Sequence, residues 1–270
     1  RILREYPIEA GVDIQFETLD EAQADELRAT VWDEWLSNEL TRPDLPPIVG
    51  QLTSLGVRLS TVRDVGLALL NHRSSDVVDT LRGLDAPPVD WSNALRELRN
   101  VVDQLGESDS EIRTSYGIKR VQSKNLEKLR LFCDEIETLR GSERDQRVLG
   151  KMPYSDGAKY GEPFQTVIDR LREAISAPII RELVNWLAPN DDSDRGFFAA
   201  YETAKAERGA LDFDDLLVHA RNLVRDVPDA RRRLRETYRA LVVDEFQDTD
   251  PVQAELILSL IHISEPTRPY

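Results

Sequence analysis

"LVVDEFQDTDPVQ" (Leu241–Gln253) drives a short apolar run straight into a cluster of carboxylates. Ala240 to Val243 reads as a strand, because a short continuous apolar run suits a central parallel strand buried on both faces. Parallel α/β sheets place their chemistry just beyond the carboxyl ends of their strands. Asp244 and Glu245 stand at that point. Two adjacent acids there suit nucleotide hydrolysis, in which one holds Mg²⁺, usually through water, and the other orients or deprotonates the attacking water. Neighbours at a strand end diverge, so one carboxylate can face the metal and the other the γ-phosphate. An Asp-Glu pair alone is a chance event in an acidic chain; the longer string is far more specific.

"DEFQDTDPVQ" resembles motif II, the Walker B element, of the UvrD/Rep-type superfamily 1 helicases, whose hallmark is DE-x-QDT followed closely by Gln. Gln247, Asp248, Thr249 and Gln253 match it. "YETAKAERGALDFDDLL" (Tyr201–Leu217) is similar to the family segment that precedes motif II, and "ILREYPIEAGVD" (Ile2–Asp13) is similar to the chain leaving motif Ia. The DFDDLL and EAG flavours are nearest the RecB/AddA-like branch. The resemblance implies a mainly α helical insertion subdomain attached to a fragment of an α/β RecA-like (P-loop NTPase) domain. Residues 1–20 would belong to RecA-like domain 1A, 21–208 to the helical 1B insertion, and 209–257 to the return into 1A with motif II. It also implies an ATP-dependent DNA helicase or translocase that couples Mg²⁺–ATP hydrolysis to movement on single-stranded DNA in repair or recombination. Asp244 would hold Mg²⁺, Glu245 would be the catalytic base, and Gln247 would link the nucleotide site to its neighbours. The implied partners are single-stranded or duplex DNA and a nuclease or helicase partner subunit.

An ATPase of this class needs a phosphate-binding loop, GxxxxGK[ST], and no Gly-Lys pair followed by Ser or Thr occurs in the 270 residues. ATP-binding residues are therefore unassigned. The expectation is an internal slice of a longer helicase, inactive as an isolated ATPase. Leu258 to about Pro269 resembles the translation of a common sequencing-library adapter, so residues 258–270 are expected to be a non-native tail.

Thirty-five basic residues against 50 acidic ones give a net charge of −15, which argues against broad nonspecific nucleic-acid binding but not against a local basic groove. Lysine is confined to Lys119, Lys124, Lys128, Lys151, Lys159 and Lys205. The single cysteine, Cys133, cannot form an internal disulfide, and no apolar run is long enough to span a membrane. A cytoplasmic protein is expected.

Helical patterning dominates the rest. Thr18 and Glu21 have capping-box spacing ahead of Leu27, Val31 and Trp35. "RPDLPPIVG" should break that helix. Ser92 is placed to cap a helix carrying Leu95, Leu98, Val102 and Leu105, and Ile118 to Leu139 reads as one long amphipathic helix. The stripe Leu171, Ile175, Ile179, Leu183 passes through Pro178, where a kink or break is expected. Val12 to Leu19 is a second strand candidate, expected to share a sheet with Ala240 to Val243. In "LDFDDLL" Asp212 is a natural helix cap with Asp214 and Asp215 in the first turn, and its role would be to brace the motif II region. The arginine run Arg231 to Arg235 reads as a solvated helix face, and Trp32, Trp35, Trp91 and Trp186 as core.

Two other functions fit less well. A metal-dependent nuclease could use Asp214, Asp215, Asp244 and Asp248, but no lysine has an acid two residues before it, as restriction-like nucleases want. A non-catalytic helical interaction module would leave the acidic strand end accidental.

Overall fold

The computed structural model describes residues 1–107, 110–154, 158–190, 195–238, 242–243, 249 and 251–260. In chain order its elements are α1 (Ile2–Glu5), α2 (Pro7–Ala10), β1 (Glu17–Thr18), α3 (Glu21–Leu40), α4 (Pro47–Ser54), α5 (Leu59–Leu70), α6 (Val77–Arg82), α7 (Trp91–Gly106), α8 (Glu111–Ser115), α9 (Ser123–Thr138), α10 (Gly141–Leu149), α11 (Glu162–Leu187), α12 (Phe197–Glu207), β2 (Ala210–Leu211), α13 (Phe213–Asp226), α14 (Pro228–Thr237) and α15 (Pro251–Leu260). The chain forms two compact units. The first comprises Arg1–Pro43, Arg63–Val78 and Leu187–Tyr270; the second comprises Asp44–Val62 and Asp79–Trp186.

In the first unit the two ends of the chain share one core. Leu3 and Phe16 pack with Ala220, Leu223 and Ala230, and Leu216, Val227 and Leu256 close over them. The sheet is also built from both ends: β1 pairs parallel with β2, Glu17 opposite Ala210 and Thr18 opposite Leu211. The pairing with Ala210–Leu211 is one that the sequence reading does not include, and the expected pairing with Ala240–Val243 falls partly on residues outside the described ones. The strand near the start is two residues long, and its partner is Ala210–Leu211. Val242 and Val243 carry no strand, and Val242 is 92% exposed; Ala240 and Leu241 lie outside the described residues. The run from Val12 is cut short because the Asp13 side chain accepts from the Gln15 N–H at 2.7 Å and the Asp13 carbonyl from the Phe16 N–H. That local turn competes with an extended strand.

Helix α3 is capped by Asp20, not Thr18. The Asp20 carboxylate accepts from the Gln23 N–H at 2.8 Å, and the Gln23 side chain accepts from the Asp20 N–H at 2.9 Å. Thr18 is taken by β1, so the same chemistry is realised two residues later. The helix ends at Leu40, ahead of the proline-rich break. Its aromatic face meets α12: Trp32 stands edge-on to Phe197 at 4.9 Å, and Trp35 Nε1 donates to the Arg195 carbonyl at 2.8 Å. Gly66 lets α5 approach this cluster, since a Cβ there would lie 2.7 Å from the Trp32 ring.

The second unit is helical. Leu98, Val101, Val102 and Leu105 of α7 and Leu129, Phe132, Cys133 and Ile136 of α9 are buried where these helices pair. Helix α7 is capped by Asp90, whose carboxylate accepts from the Asn93 N–H at 3.0 Å, while Ser92 lies inside the helix. The expected long helix from Ile118 begins only at Ser123. Arg113 donates to the carbonyls of Glu107, Ile118 and Lys119, and Gly117 sits at φ +63, so the chain before α9 is held in a non-helical path. Helix α11 runs as one element through Pro178. Burial of Leu171, Ile175, Ile179 and Leu183 on both sides of the proline outweighs the one ladder bond it removes.

Candidate functional site

The most elaborate polar construction among the described residues lies in the first unit, at the start of α13. Gly209, at φ +57, turns the chain out of α12 and into β2. Asp212 then caps α13: its carboxylate accepts from the Asp215 N–H at 3.0 Å, and the Asp215 carboxylate accepts from the Asp212 N–H at 3.0 Å. This is the cap that "DFDDLL" announces, with aspartate at both corners of the box.

Two cations are driven into that cap. Arg73, in the turn after α5, donates from Nη2 to both oxygens of Asp212 at 2.7 Å, from Nη1 to Asp214 at 3.1 Å, and from Nη2 to Asp215 at 3.2 Å. Its Nε lies 3.2 Å from Glu202. Lys205 Nζ donates to Asp215 at 2.5 Å and lies 3.0 Å from Glu202. Tyr201 donates its hydroxyl to Asp212 at 3.0 Å, and its ring lies under both cations. The Lys205 and Asp212 side chains are only 2–3% exposed. Lysine and aspartate reach such depth only when paired.

The titration behaviour follows from this packing. Burial alone would raise Asp212, but Arg73, the Asp215 N–H and Lys205 together pull it down to about 2. Asp214 goes the other way, because burial outweighs its one contact to Arg73. Burial and the Asp212 carboxylate hold the Tyr201 hydroxyl protonated. Burial would lower Arg73, yet Asp212, Glu202 and Asp215 more than reverse it. Asp212 is therefore ionised at neutral pH. Both oxygens of Asp212 accept from protein donors.

Two of the four acids of the nuclease alternative belong to this network, and the other two, Asp244 and Asp248, lie outside the described residues. Asp214 and Asp215 are paired with Arg73 and Lys205. Among the described residues no group of three or more His, Cys, Asp or Glu could hold a metal ion.

The network instead fixes a helix that leads to motif II. Helix α13 packs against α14 and α15. Arg221 of α13 lies 3.4 Å from Glu255 of α15, and Arg235 of α14 donates to the Ser259 carbonyl at 2.8 Å. Helix α15 opens at Pro251 and carries Gln253, so the segment directly after motif II is clamped to the helix whose start is the charge network. Of the sequence-assigned residues, Thr249 and Gln253 lie within the described structure; Asp244, Glu245, Gln247 and Asp248 lie outside the described residues.

The arginine run divides its work: Arg232 pairs with Asp229 on the surface, while Arg235 reaches α15. Trp32, Trp35 and Trp186 are core residues, and Trp91, half-buried, carries the Arg144 guanidinium 4.8 Å above its ring. Arg73 escapes a reading of the sequence. It sits in "NHRSS", 139 residues before Asp212, with no local pattern to mark it. The sign that points to it is a deficit elsewhere: acids packed at one helix start with a single nearby lysine require another cation.

Comparison with known proteins places these features. The UvrD/REP helicase N-terminal domain matches residues 1–266. An ATP-dependent helicase/nuclease polypeptide from Ligilactobacillus salivarius is 24% identical over 257 residues, covering 85% of this chain and 18% of that protein. The RecBCD enzyme subunit RecB of Mycolicibacterium smegmatis is 43% identical over 65 residues, covering 23% of this chain and 6% of that protein. A probable DNA helicase II homolog from Mycoplasma genitalium is 41% identical over 64 residues, covering 24% of this chain and 9% of that protein. The chain thus spans less than a fifth of the length of these relatives. With a match running through both compact units and a relative aligned along most of its length, the chain belongs to the UvrD/REP helicase family, in its N-terminal domain.

Proposed function

We propose that the chain is part of an ATP-dependent DNA helicase of the RecB/AddA-like branch, which couples Mg²⁺–ATP hydrolysis to stepping along single-stranded DNA in repair or recombination. The observation that carries this reading is the family match across residues 1–266 together with the string DEFQDTDPVQ inside it. The first compact unit is assigned to the RecA-like domain and the second to the helical insertion. That assignment is supported by the shared core and parallel pairing of the two chain ends. It puts α3 and Arg63–Val78 with the RecA-like part, within the stretch assigned to the insertion from sequence.

Motif II supplies hard oxygen donors, which suit Mg²⁺. Asp244 is assigned to hold the ion. When bound, Mg²⁺ would neutralise charge on the phosphates. Glu245 would accept the proton of the attacking water, and Gln247 would link the nucleotide site to neighbouring elements. Arg73, Lys205, Asp212 and Asp215 act as positioning residues, setting α13 and through it α15. A phosphate-binding loop would have to come from elsewhere in a longer protein, so the 270 residues alone should hydrolyse ATP at no more than background rate. DNA is the assigned partner, with a nuclease or helicase subunit beside it, and the assigned compartment is the cytoplasm. Among the described residues no helix is long and apolar enough to cross a membrane.

The test is a pair of substitutions in the longer protein. Asp244→Asn should weaken Mg²⁺–ATP binding, while Glu245→Gln should bind nucleotide and stall chemistry. Each should lower DNA-stimulated turnover by two or more powers of ten, about 3 kcal/mol. Normal turnover in Glu245→Gln would remove Glu245 from the catalytic role.

A further inference from the structure

Basic residues are used in two different ways in this chain. The arginines are largely spent on internal contacts: Arg73 on the buried network, Arg113 and Arg172 on backbone carbonyls, Arg99 on Asp134 and Glu137. Five of the six lysines are not. Lys119, Lys124, Lys128, Lys151 and Lys159 are all exposed, all in the second unit, and none lies within ion-pair distance of a carboxylate among the described residues. Between Ile118 and Tyr160 ten basic residues meet seven acidic ones, a balance of +3 in a chain whose total is −15. An acidic chain that gathers into one stretch the lysines that have no carboxylate partner among the described residues has an electrostatic feature that the described contacts of its fold do not use.

The stretch also has a shape. Lys124 and Lys128, one turn apart on α9, line a groove of ≈ 890 Å³ that Lys151, Tyr154 and Tyr160 line as well. Gln122 and Asn125 add amide donors to its lining. The walls are held independently of any ligand: Tyr154 and Tyr160 meet edge to face at 6.4 Å, Tyr154 donates to Gln165 of α11, and Arg147 donates to the Lys151 carbonyl at 2.9 Å.

We infer that this groove is a contact for the phosphodiester backbone of nucleic acid, with Lys124, Lys128 and Lys151 as its charged residues. The inference rests on the helicase reading and deepens it by naming residues in the insertion that meet the substrate. Lysine suits the task. Its ammonium is a compact point charge on a flexible stem, so it follows a phosphate without demanding the fixed fork geometry of arginine. Amide donors contact phosphate without reading sequence. The contact should therefore be sequence-independent and strongly salt-dependent, because each neutralised phosphate releases condensed counterions.

The experiment measures binding of the 270-residue chain to a labelled duplex, to the matching single strand and to poly-glutamate across a salt series. The chain is compared with a Lys124→Gln, Lys128→Gln, Lys151→Gln triple variant and with the triple Lys→Arg variant. Circular dichroism checks that each folds; these side chains are exposed and have no carboxylate partner among the described residues, so folding should be unaffected. The wild type should bind DNA with a steep salt dependence. The triple Gln variant should lose about 2.7 from the slope of log K against log salt on duplex, or about 2 on single strand, and on the order of 100-fold in affinity near ~0.15 M salt. The larger loss identifies the form of DNA that occupies the groove, and the triple Arg variant should keep both slope and affinity. An unchanged slope in the triple Gln variant overturns the groove while leaving the helicase reading standing. Wild-type binding to poly-glutamate but to neither DNA, lost in the triple Gln variant, would overturn the nucleic-acid assignment in favour of an acidic protein partner, and no binding to any probe would overturn the site. The helicase reading is judged separately by the Glu245→Gln turnover of the longer protein.

Discussion

The two compact units place their charges in opposite ways. In the first, Arg73, Lys205, Asp212 and Asp215 have side chains no more than 11% exposed and belong to three separate stretches of chain. In the second, the core is aliphatic and aromatic, with Leu129, Phe132, Cys133, Ile136, Val148 and Phe164 almost fully buried. Its ion pairs lie outside, as with Arg99, 40% exposed, beside Asp134 and Glu137. Aliphatic packing stabilises a helical body but tolerates small slips in register. A buried, saturated ion network is satisfied in only one arrangement, and removing any member strands a charge. The first unit thus holds its charges inside, and the second keeps its lysines at the surface.

The largest break in that contrast should come from Lys205→Met. It leaves Asp215 and Glu202 without their ammonium, and unfolding by urea should show a loss of about 3–5 kcal/mol. Hydrogen exchange should localise the loss to α12 and α13. A loss below about 1 kcal/mol would mean the network is better solvated than its burial indicates. Arg73→Lys should cost less, about 2–3 kcal/mol, because an ammonium cannot reach Asp212, Asp214, Glu202 and the Leu70 carbonyl at once.

A pH series sharpens the comparison further. Asp212 is held down at about 2, so its contribution is fully present above the unfolded carboxylate value near ~3.9 and is lost as pH falls through about 2. That contribution is on the order of 2 kcal/mol. Asp214, raised by burial, works in the opposite sense: its ionised form opposes folding, and protonation relieves it as pH falls. Asp212→Asn should flatten the acid limb of the stability curve, and Asp214→Asn should steepen it. The smallest effect is expected at the surface of the second unit, where Arg99→Ala should cost less than about 1 kcal/mol and less still in high salt.

What the sequence disclosed was what is local. The cap at Asp212, the proline-opened α14 and the break after Leu40 were legible because each depends on residues within one turn. The helix start expected at Thr18 lies two residues away because Thr18 and Asp20 are both competent caps, and β1 claims the threonine. The Ala210–Leu211 partner of β1 went unread for another reason. Parallel pairing joins distant stretches, and an apolar run such as Ala240–Val243 carries no information about which strand it meets. Arg73 was illegible on the same ground, since its Asp212 partner lies 139 residues away and its own surroundings are an ordinary turn.

If the buried network positions motif II while the exposed lysines meet DNA, turnover and DNA affinity should separate in the longer enzyme. Steady-state ATP hydrolysis would be followed against DNA concentration for Arg73→Lys and for the triple Lys124, Lys128, Lys151→Gln variant, at a temperature where both are folded. Arg73→Lys should lower kcat at saturating DNA with the DNA half-saturation point unchanged. The triple variant should raise the half-saturation point with kcat unchanged. An Arg73→Lys enzyme with wild-type kcat, or one whose defect is overcome by more DNA, would contradict the positioning role of the network.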